Sequence, residues 1–270
     1  MAPISIEVER DLREHIRKLG GMVGAESLMH TVGGVSRRRA ALVKADVVTT
    51  LERERQAGCA RVRVTRPGVV RGFDAMYLEQ GVALISADAC IPYRTSAVAA
   101  SRYDGEHVAE ALDADFKAAG APLVWRRDRA RCHSTPAVVS VLREHRVLAL
   151  SGPAYYAPYY GQLERQNREH RTWLDNTPDA DHASLATMRS SLNSLWRRPT
   201  LGWRTAHEGW EARPPVDDDR EQLHHEVEQR AACLRARGVA EDLAMRLAIE
   251  QALINRGYLD ITPGRKVLRE

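Results

Sequence analysis

The run Gly161-Gln162-Leu163-Glu164-Arg165-Gln166-Asn167-Arg168-Glu169-His170-Arg171 constrains this chain more than any other stretch. Pro158 and Gly161 punctuate an aromatic loop holding Tyr155, Tyr156, Tyr159 and Tyr160, and no Gly or Pro interrupts Gln162 through Trp173, which reads as one helix. At about 100° per residue, Arg168 and Arg171 rise nearly above Glu164. One face therefore offers a carboxylate and a column of guanidinium groups, donors suited to a metal ion and to phosphate. An exposed helix with ordinary Glu-Arg pairs has the same local pattern, so the meaning of Glu164 depends on what precedes it.

Two acids upstream give it that meaning. Asp74 lies inside the strand-like run Val69-Val70-Arg71-Gly72-Phe73-Asp74-Ala75-Met76-Tyr77-Leu78. Asp128 follows the apolar run Pro122-Leu123-Val124-Trp125, with 35 residues between it and Glu164. The pattern is an acid in a strand, an acid at a strand end and an acid at a helix start.

With these residues the chain resembles the DDE transposase and retroviral-type integrase superfamily, in its bacterial insertion-sequence form. Pro67 to Leu78 looks like the family's first-strand motif, Gly120 to Asp128 is similar to the segment ending in its second Asp, and Gly161 to Arg168 is close to its Gly-x-hydrophobic-Glu-Arg-x-Asn-Arg pattern. The resemblance covers residues 67–213. The family usually has Asn-Gly after the second Asp, where this chain has Arg129-Ala130. The fold so implied is α/β: a ribonuclease-H-like core with a mixed five-stranded sheet and flanking helices. The site so implied is Asp74, Asp128 and Glu164 as catalytic residues and metal ligands, with Mg2+ or Mn2+ as cofactor, two ions per active site. Such a cage suits in-line displacement at phosphorus, because hard divalent cations prefer oxygen ligands. Gathering the carboxylates should raise the pKa of at least one of them.

Asp88 competes with Asp74 for the first position. Taking Asp88 would leave one strand-like run before the helix at Glu106–Ala119, whereas taking Asp74 leaves residues 69–78, 82–87 and 94–100 as the family's three-stranded meander. Asp88 then has a turn role at a strand end. After the meander come the amphipathic helix with Val108, Leu112 and Phe116, a buried strand at Leu123–Trp125, a helix at Thr135–His145 and a strand at Val147–Leu150. Trp196, Trp203 and Trp210 read as core and edge packing.

Residues 1–66 form an N-terminal region in which two short helices and a glycine turn precede a longer helix that Ser36 caps and Arg37, Arg38 and Arg39 open. That is the order of a helix-turn-helix DNA-binding module. Arg61–Pro67 reads as an extended linker whose Arg63 and Arg66 can lie along a phosphate backbone, and Arg165, Arg168 and Arg171 extend the basic set beside Glu164. Residues 214–270 form a C-terminal helical extension, with helices near 220–236 and 240–255 and a basic tail.

A net charge of +4 and a pI near 9.0 are compatible with nucleic acid. Cys59, Cys90, Cys132 and Cys233 make no C-x-x-C pair, so the reading is reduced thiols rather than zinc, and Cys132-His133 has no second pair to complete a tetrahedral set. No apolar run approaches a membrane span, and no signal peptide opens the chain, so a bacterial cytoplasmic, DNA-associated location is expected.

The expected function is a transposase or integrase-like recombinase that binds double-stranded DNA at element ends, cleaves it and transfers strands to target DNA. It would act as a homo-oligomer, with an accessory transposition protein as a possible partner. Two alternatives share the core: a structure-directed nuclease, and a catalytically inactive transposase-derived DNA-binding regulator or assembly subunit.

Overall fold

The structure is a computed structural model that describes residues 5–57, 61–152, 161–177 and 182–262. Tyr155, Tyr156, Tyr159 and Tyr160, and the basic tail after residue 262, lie outside the described residues. The chain divides into two compact units, the second of residues 62–261 and the first holding the residues before and after that span.

The first unit is a three-helix cluster of α1 (Ile6–Lys18), α2 (Ala25–Val32) and α3 (Arg37–Ala57). Ser5 accepts the Val8 N–H to start α1, and Ser36 accepts that of Arg39 to start α3. Leu12, Ile16, Leu28, Ala40, Val43 and Val47 meet in its core. Gly21 has φ +79°, and a Cβ there would come within 2.7 Å of Val48 Cγ2, so the turn after α1 has no room for a side chain. Arg37 and Arg38 are exposed, whereas Arg39 is paired at 3.0 Å with Glu9, which also holds Arg13.

The second unit carries the sheet. β2 (Val70–Tyr77), β3 (Val82–Asp88) and β4 (Arg94–Ala100) run antiparallel. β5 (Val124–Arg127) lies parallel to β2, and β6 (Leu148–Ser151) parallel to β5, giving the order β4-β3-β2-β5-β6. The parallel strands are reached through α4 (Gly105–Ala119) and α5 (Pro136–Glu144), with a 3-10 turn at Arg131–Ser134 before α5.

Alternation along the strands sorts side chains between two faces. Phe73 and Trp125 point to the face covered by Val108, Leu112 and Phe116 of α4 and Val138 and Leu142 of α5. Val70, Val124, Leu148 and Leu150 point to the other, under Leu223 and Val227 of α9 (Arg220–Ala236) and Ile249 and Leu253 of α10 (Glu241–Asn255). On that same face, Met76, Ile85 and Ala97 meet Leu185, Met188 and Leu192 of α7 (His182–Ser194). α6 (Gly161–Asp175) crosses β2 at Gly72, where a Cβ would meet Leu163 Cδ1 at 3.0 Å. The missing side chain lets the helix lie close to the strand. Last comes α8 (Ala206–Glu211), started by the expected capping box of Thr205 and Glu208.

Two local expectations, the linker at Arg61–Pro67 and the packing of the tryptophans, differ from the structure. Arg61–Val64 is not a free linker: it is strand β1, paired with β7 (Leu259–Thr262). Its alternation is that of a half-buried strand, with Val64 in the core and Arg63 exposed. Next to it, Arg66 donates to the Pro215 carbonyl and lies over the Tyr258 ring. The terminal helices α9 and α10 belong to the same compact unit as the sheet, whose second face they cover, because Leu223, Val227, Ile249 and Leu253 bury against its strands. Trp210 is buried and stacked on Tyr93, whereas Trp196 and Trp203 are 47% and 65% exposed.

Candidate metal centre

The β2–β5 register sets the site. Val70 pairs with Val124, Arg71 with Trp125 and Gly72 with Arg126, so two residues further on Asp128 falls level with Asp74. Asp74 is still inside its strand, and Asp128 stands just past the end of β5.

Asp74 is half-buried. Its Oδ1 accepts the Ala75 N–H at 2.9 Å, and its Oδ2 accepts from Asn167 Nδ2 on α6. Burial raises its pKa, with the charge of Asp128 adding to the rise; the Ala75 and Asn167 hydrogen bonds and the Arg171 guanidinium act against it. Asp128 is pushed the other way. Contact with His133 holds its carboxyl below the usual range, and the Ala130 N–H, donated to Oδ1 at 2.9 Å, helps. The raised carboxylate expected of the cluster is therefore Asp74, with desolvation as the larger cause and mutual repulsion the smaller.

His133 is buried, 1% exposed, among the rings of Phe73, Trp125 and Tyr103. Its Nδ1 lies 2.8 Å from Asp128 Oδ1, at an angle too bent for a good hydrogen bond, and its Nε2 lies 2.9 Å from Tyr103 Oη. Burial, together with the Asp128 charge, pushes the Tyr103 phenol upward. Cys132-His133 thus contributes to this site through the imidazole, as a neighbour of Asp128.

Glu164 is exposed in the first turn of α6, between Leu163, which packs on Gly72, and Asn167, which bonds Asp74. Its helix crosses the strand that carries Asp74. Asp74, Asp128 and Glu164 are not among the described groups whose ligand atoms all lie within 4.8 Å of one another. Arg165, Arg168 and Arg171 are exposed on the same helix, and among the described residues no ion pair joins them to Glu164.

A second acidic group, Asp113, Glu144 and His145, does place its ligand atoms within 4.8 Å. Asp113 already serves Lys117 at 2.6 Å and His145 at 2.8 Å, which makes the cluster a surface ion-pair network between α4 and α5. Asp88 is fully buried and accepts the N–H groups of Gly68, Cys90 and Ile91. It organises the turn after β3 in the way its strand-end position suggests.

Asn167 and His133 carry weight that the three-acid pattern did not assign to them. Asn167 stood in the Glu-Arg-x-Asn-Arg run, so a signal for it was present. His133 and Tyr103 are 30 residues apart, and only the fold joins them.

An all-oxygen pair at the end of adjacent parallel strands, with one member desolvated and repelled by the other, is a place where a divalent cation would relieve both costs. The donors present therefore fit a hard metal. The mixed five-stranded sheet with helices on both faces is a ribonuclease-H-like fold. The solved structures similar to it include a chain of the simian T-cell lymphotropic virus intasome in complex with PP2A regulatory subunit B56 gamma, at TM-score 0.51 and 13% identity over 77% of this chain and 78% of that one. They also include the catalytic core domain of BIV integrase (TM-score 0.47, 16% identity, 53% of this chain and 94% of that one). A third is the HTLV-2 integrase catalytic core domain in complex with magnesium (TM-score 0.46, 14% identity, 54% and 98%). The intasome chain is the comparison that carries the fold. Neither a family profile nor a curated protein sequence matches the chain. Among the described residues no helix is long and apolar enough to cross a membrane.

Proposed function

We propose that this chain is a DDE-type polynucleotidyl transferase, a transposase or integrase-like recombinase acting on double-stranded DNA. The observation that carries the reading is the level placement of Asp74 and Asp128 on β2 and β5, with α6 bringing Glu164 across the same strand. Asp74 and Asp128 would hold Mg2+ or Mn2+ between them, and Glu164, on a long exposed side chain, would complete the set when DNA and metal are bound. A bound pair of divalent ions supplies activation of the attacking oxygen and stabilisation of the leaving oxygen.

The chain's own residues do the rest. Asn167 and the Ala75 N–H orient Asp74, and the Ala130 N–H orients Asp128. The exposed Arg165, Arg168 and Arg171 would bind phosphates beside the acids. Arg37, Arg38 and Arg63, also exposed, are candidates for contacts to the element ends. Arg39 and Arg66, engaged with Glu9 and Pro215, would contribute to the same surfaces by release from those partners. Joining two DNA ends calls for a homo-oligomer on DNA, in a bacterial cytoplasm if the insertion-sequence form holds, with an accessory transposition protein as a further candidate partner.

Glu164→Gln tests the reading: we expect it to abolish Mg2+-dependent strand cleavage and joining while leaving DNA affinity largely intact. A cleavage rate equal to the wild type overturns the assignment. Joined products separate a recombinase from a nuclease of the same core. One alternative, a DNA-binding regulator descended from such an enzyme, predicts DNA binding with no metal-dependent products at all.

A further inference from the structure

The neighbourhood of Asp128 contains more than a metal ligand needs for packing alone. The 3-10 turn at Arg131–Ser134 folds back on the end of β5, and Arg127 ties it down by donating to the His133 carbonyl and, at 3.0 Å, to Ser134 Oγ. That return brings the His133 ring into a cage of Phe73, Trp125 and Tyr103, at centroid distances of 5.6, 5.2 and 5.8 Å and interplanar angles of 81°, 74° and 75°. The cage fixes the plane of the imidazole. Both ring nitrogens then face polar atoms, Nε2 the Tyr103 hydroxyl at 2.9 Å and Nδ1 the Asp128 carboxylate at 2.8 Å.

With Tyr103 O–H donating to Nε2, the Nδ1–H faces Asp128 Oδ1 at 2.8 Å as a close polar contact rather than a well-aligned hydrogen bond. Oδ1 also takes the Ala130 N–H, at 2.9 Å, and the His133 ring packs against it from the other side. Among the described residues Oδ2 receives no hydrogen bond. A carboxylate pinned through one oxygen presents the other in a fixed direction, which is how partners of metal ligands set ligand orientation.

We propose that His133, itself oriented by Tyr103, is a positioning residue that pins Oδ1 of Asp128 and presents Oδ2 to a divalent cation shared with Asp74. The inference rests on the metal-dependent reading above and adds to it two residues outside the acidic set.

Mn2+ affinity of the full chain without DNA, read from the electron paramagnetic resonance signal of the free ion, tests it apart from catalysis. Asp74→Asn and Asp128→Asn serve as references. His133→Phe fills the aromatic cage but has no donor; His133→Asn loses the ring but keeps an N–H at the Nδ1 position. We expect His133→Phe to weaken Mn2+ binding by at least about 10-fold, His133→Asn to recover most of that loss, and Tyr103→Phe to weaken binding by a few-fold. Equal affinity in wild type and His133→Phe, or an equal loss in the Phe and Asn variants, overturns the positioning role while leaving the metal centre standing. If the wild type binds no Mn2+, or binds it with an affinity unchanged in Asp74→Asn and Asp128→Asn, the metal-dependent reading fails and this inference fails with it. Circular dichroism of each variant establishes that it is folded, and the Tyr103→Phe comparison, which removes one oxygen atom, decides the question should neither His133 variant fold.

Discussion

Asn167 of α6 donates its side-chain N–H to Oδ2 of Asp74 on β2, joining helix to strand across 93 residues of chain. The bond has two consequences. It seats the helix that carries Glu164, and it sets the orientation of a half-buried carboxylate.

Asn167→Ala should therefore affect stability and chemistry together. Leaving a half-buried acceptor unpaired costs about 1–3 kcal/mol, and urea denaturation should show a loss in that range. Mg2+-dependent strand cleavage should fall as well, because α6 and Asp74 lose their shared anchor. Asn167→Asp should be worse, since a second carboxylate against Asp74 raises its pKa further. Wild-type stability in Asn167→Ala would remove the anchor from the account.

The pH dependence of stability follows from the sign of the Asp74 shift. Its folded-state pKa is raised, so the protonated form is favoured in the folded protein; the stabilisation is full below the unfolded pKa and is lost as pH rises through the folded one. In EDTA at neutral pH the wild type should thus melt below Asp74→Asn, with about 2–4 °C for each kcal/mol at this size. The gap should shrink at pH 4 and on adding Mg2+, which stabilises only the wild type. A melting difference that ignores both pH and Mg2+ would contradict the desolvated-carboxylate assignment.

Glu169, five residues after Glu164 on α6, should respond in the opposite way to its neighbour. Its carboxylate takes Arg94 Nη2 and both terminal nitrogens of Arg198, at 2.7 and 2.8 Å, while Arg94 Nε donates at 2.9 Å to the buried His170. Burial pushes the Glu169 carboxyl up, but the Arg198 and Arg94 guanidiniums outweigh it and hold it low. His170, with its pKa pushed down to about 3 by burial and by Arg94, is a neutral acceptor. Removing one member of such a buried pair costs about 3–5 kcal/mol, so Glu169→Gln should lower the unfolding free energy on that scale, whereas Glu164→Gln should leave it unchanged. Equal denaturation midpoints for the two variants would contradict the division of labour along α6.

Much of this was legible along the chain. The strand runs at 69–78, 82–87 and 94–100, the helix with Val108, Leu112 and Phe116, and the capping box at Thr205 all appear where local periodicity and end signals place them, because each is decided within a few residues. Strand β7 was not legible. Four residues that pair only with Arg61–Val64 have no local signature, and the same partnership turns an apparent linker into an edge strand. The exposure of Trp196 and Trp203 escaped for a similar reason, since bulk and apolarity say what a side chain prefers and not whether a partner surface is within reach.

The sequence by itself determined which side chains carry charge and where helices and strands begin, since propensity, alternation and capping act over one or two turns. It therefore put Asp74 in a strand, Asp128 at a strand end and Glu164 at a helix start. Only the tertiary structure decided that parallel pairing sets Asp128 level with Asp74, that Gly72 admits α6 and that His133 turns back onto Asp128. Those relations depend on strand register and on close packing between segments far apart in the chain, and neither is written in the identity of any one residue.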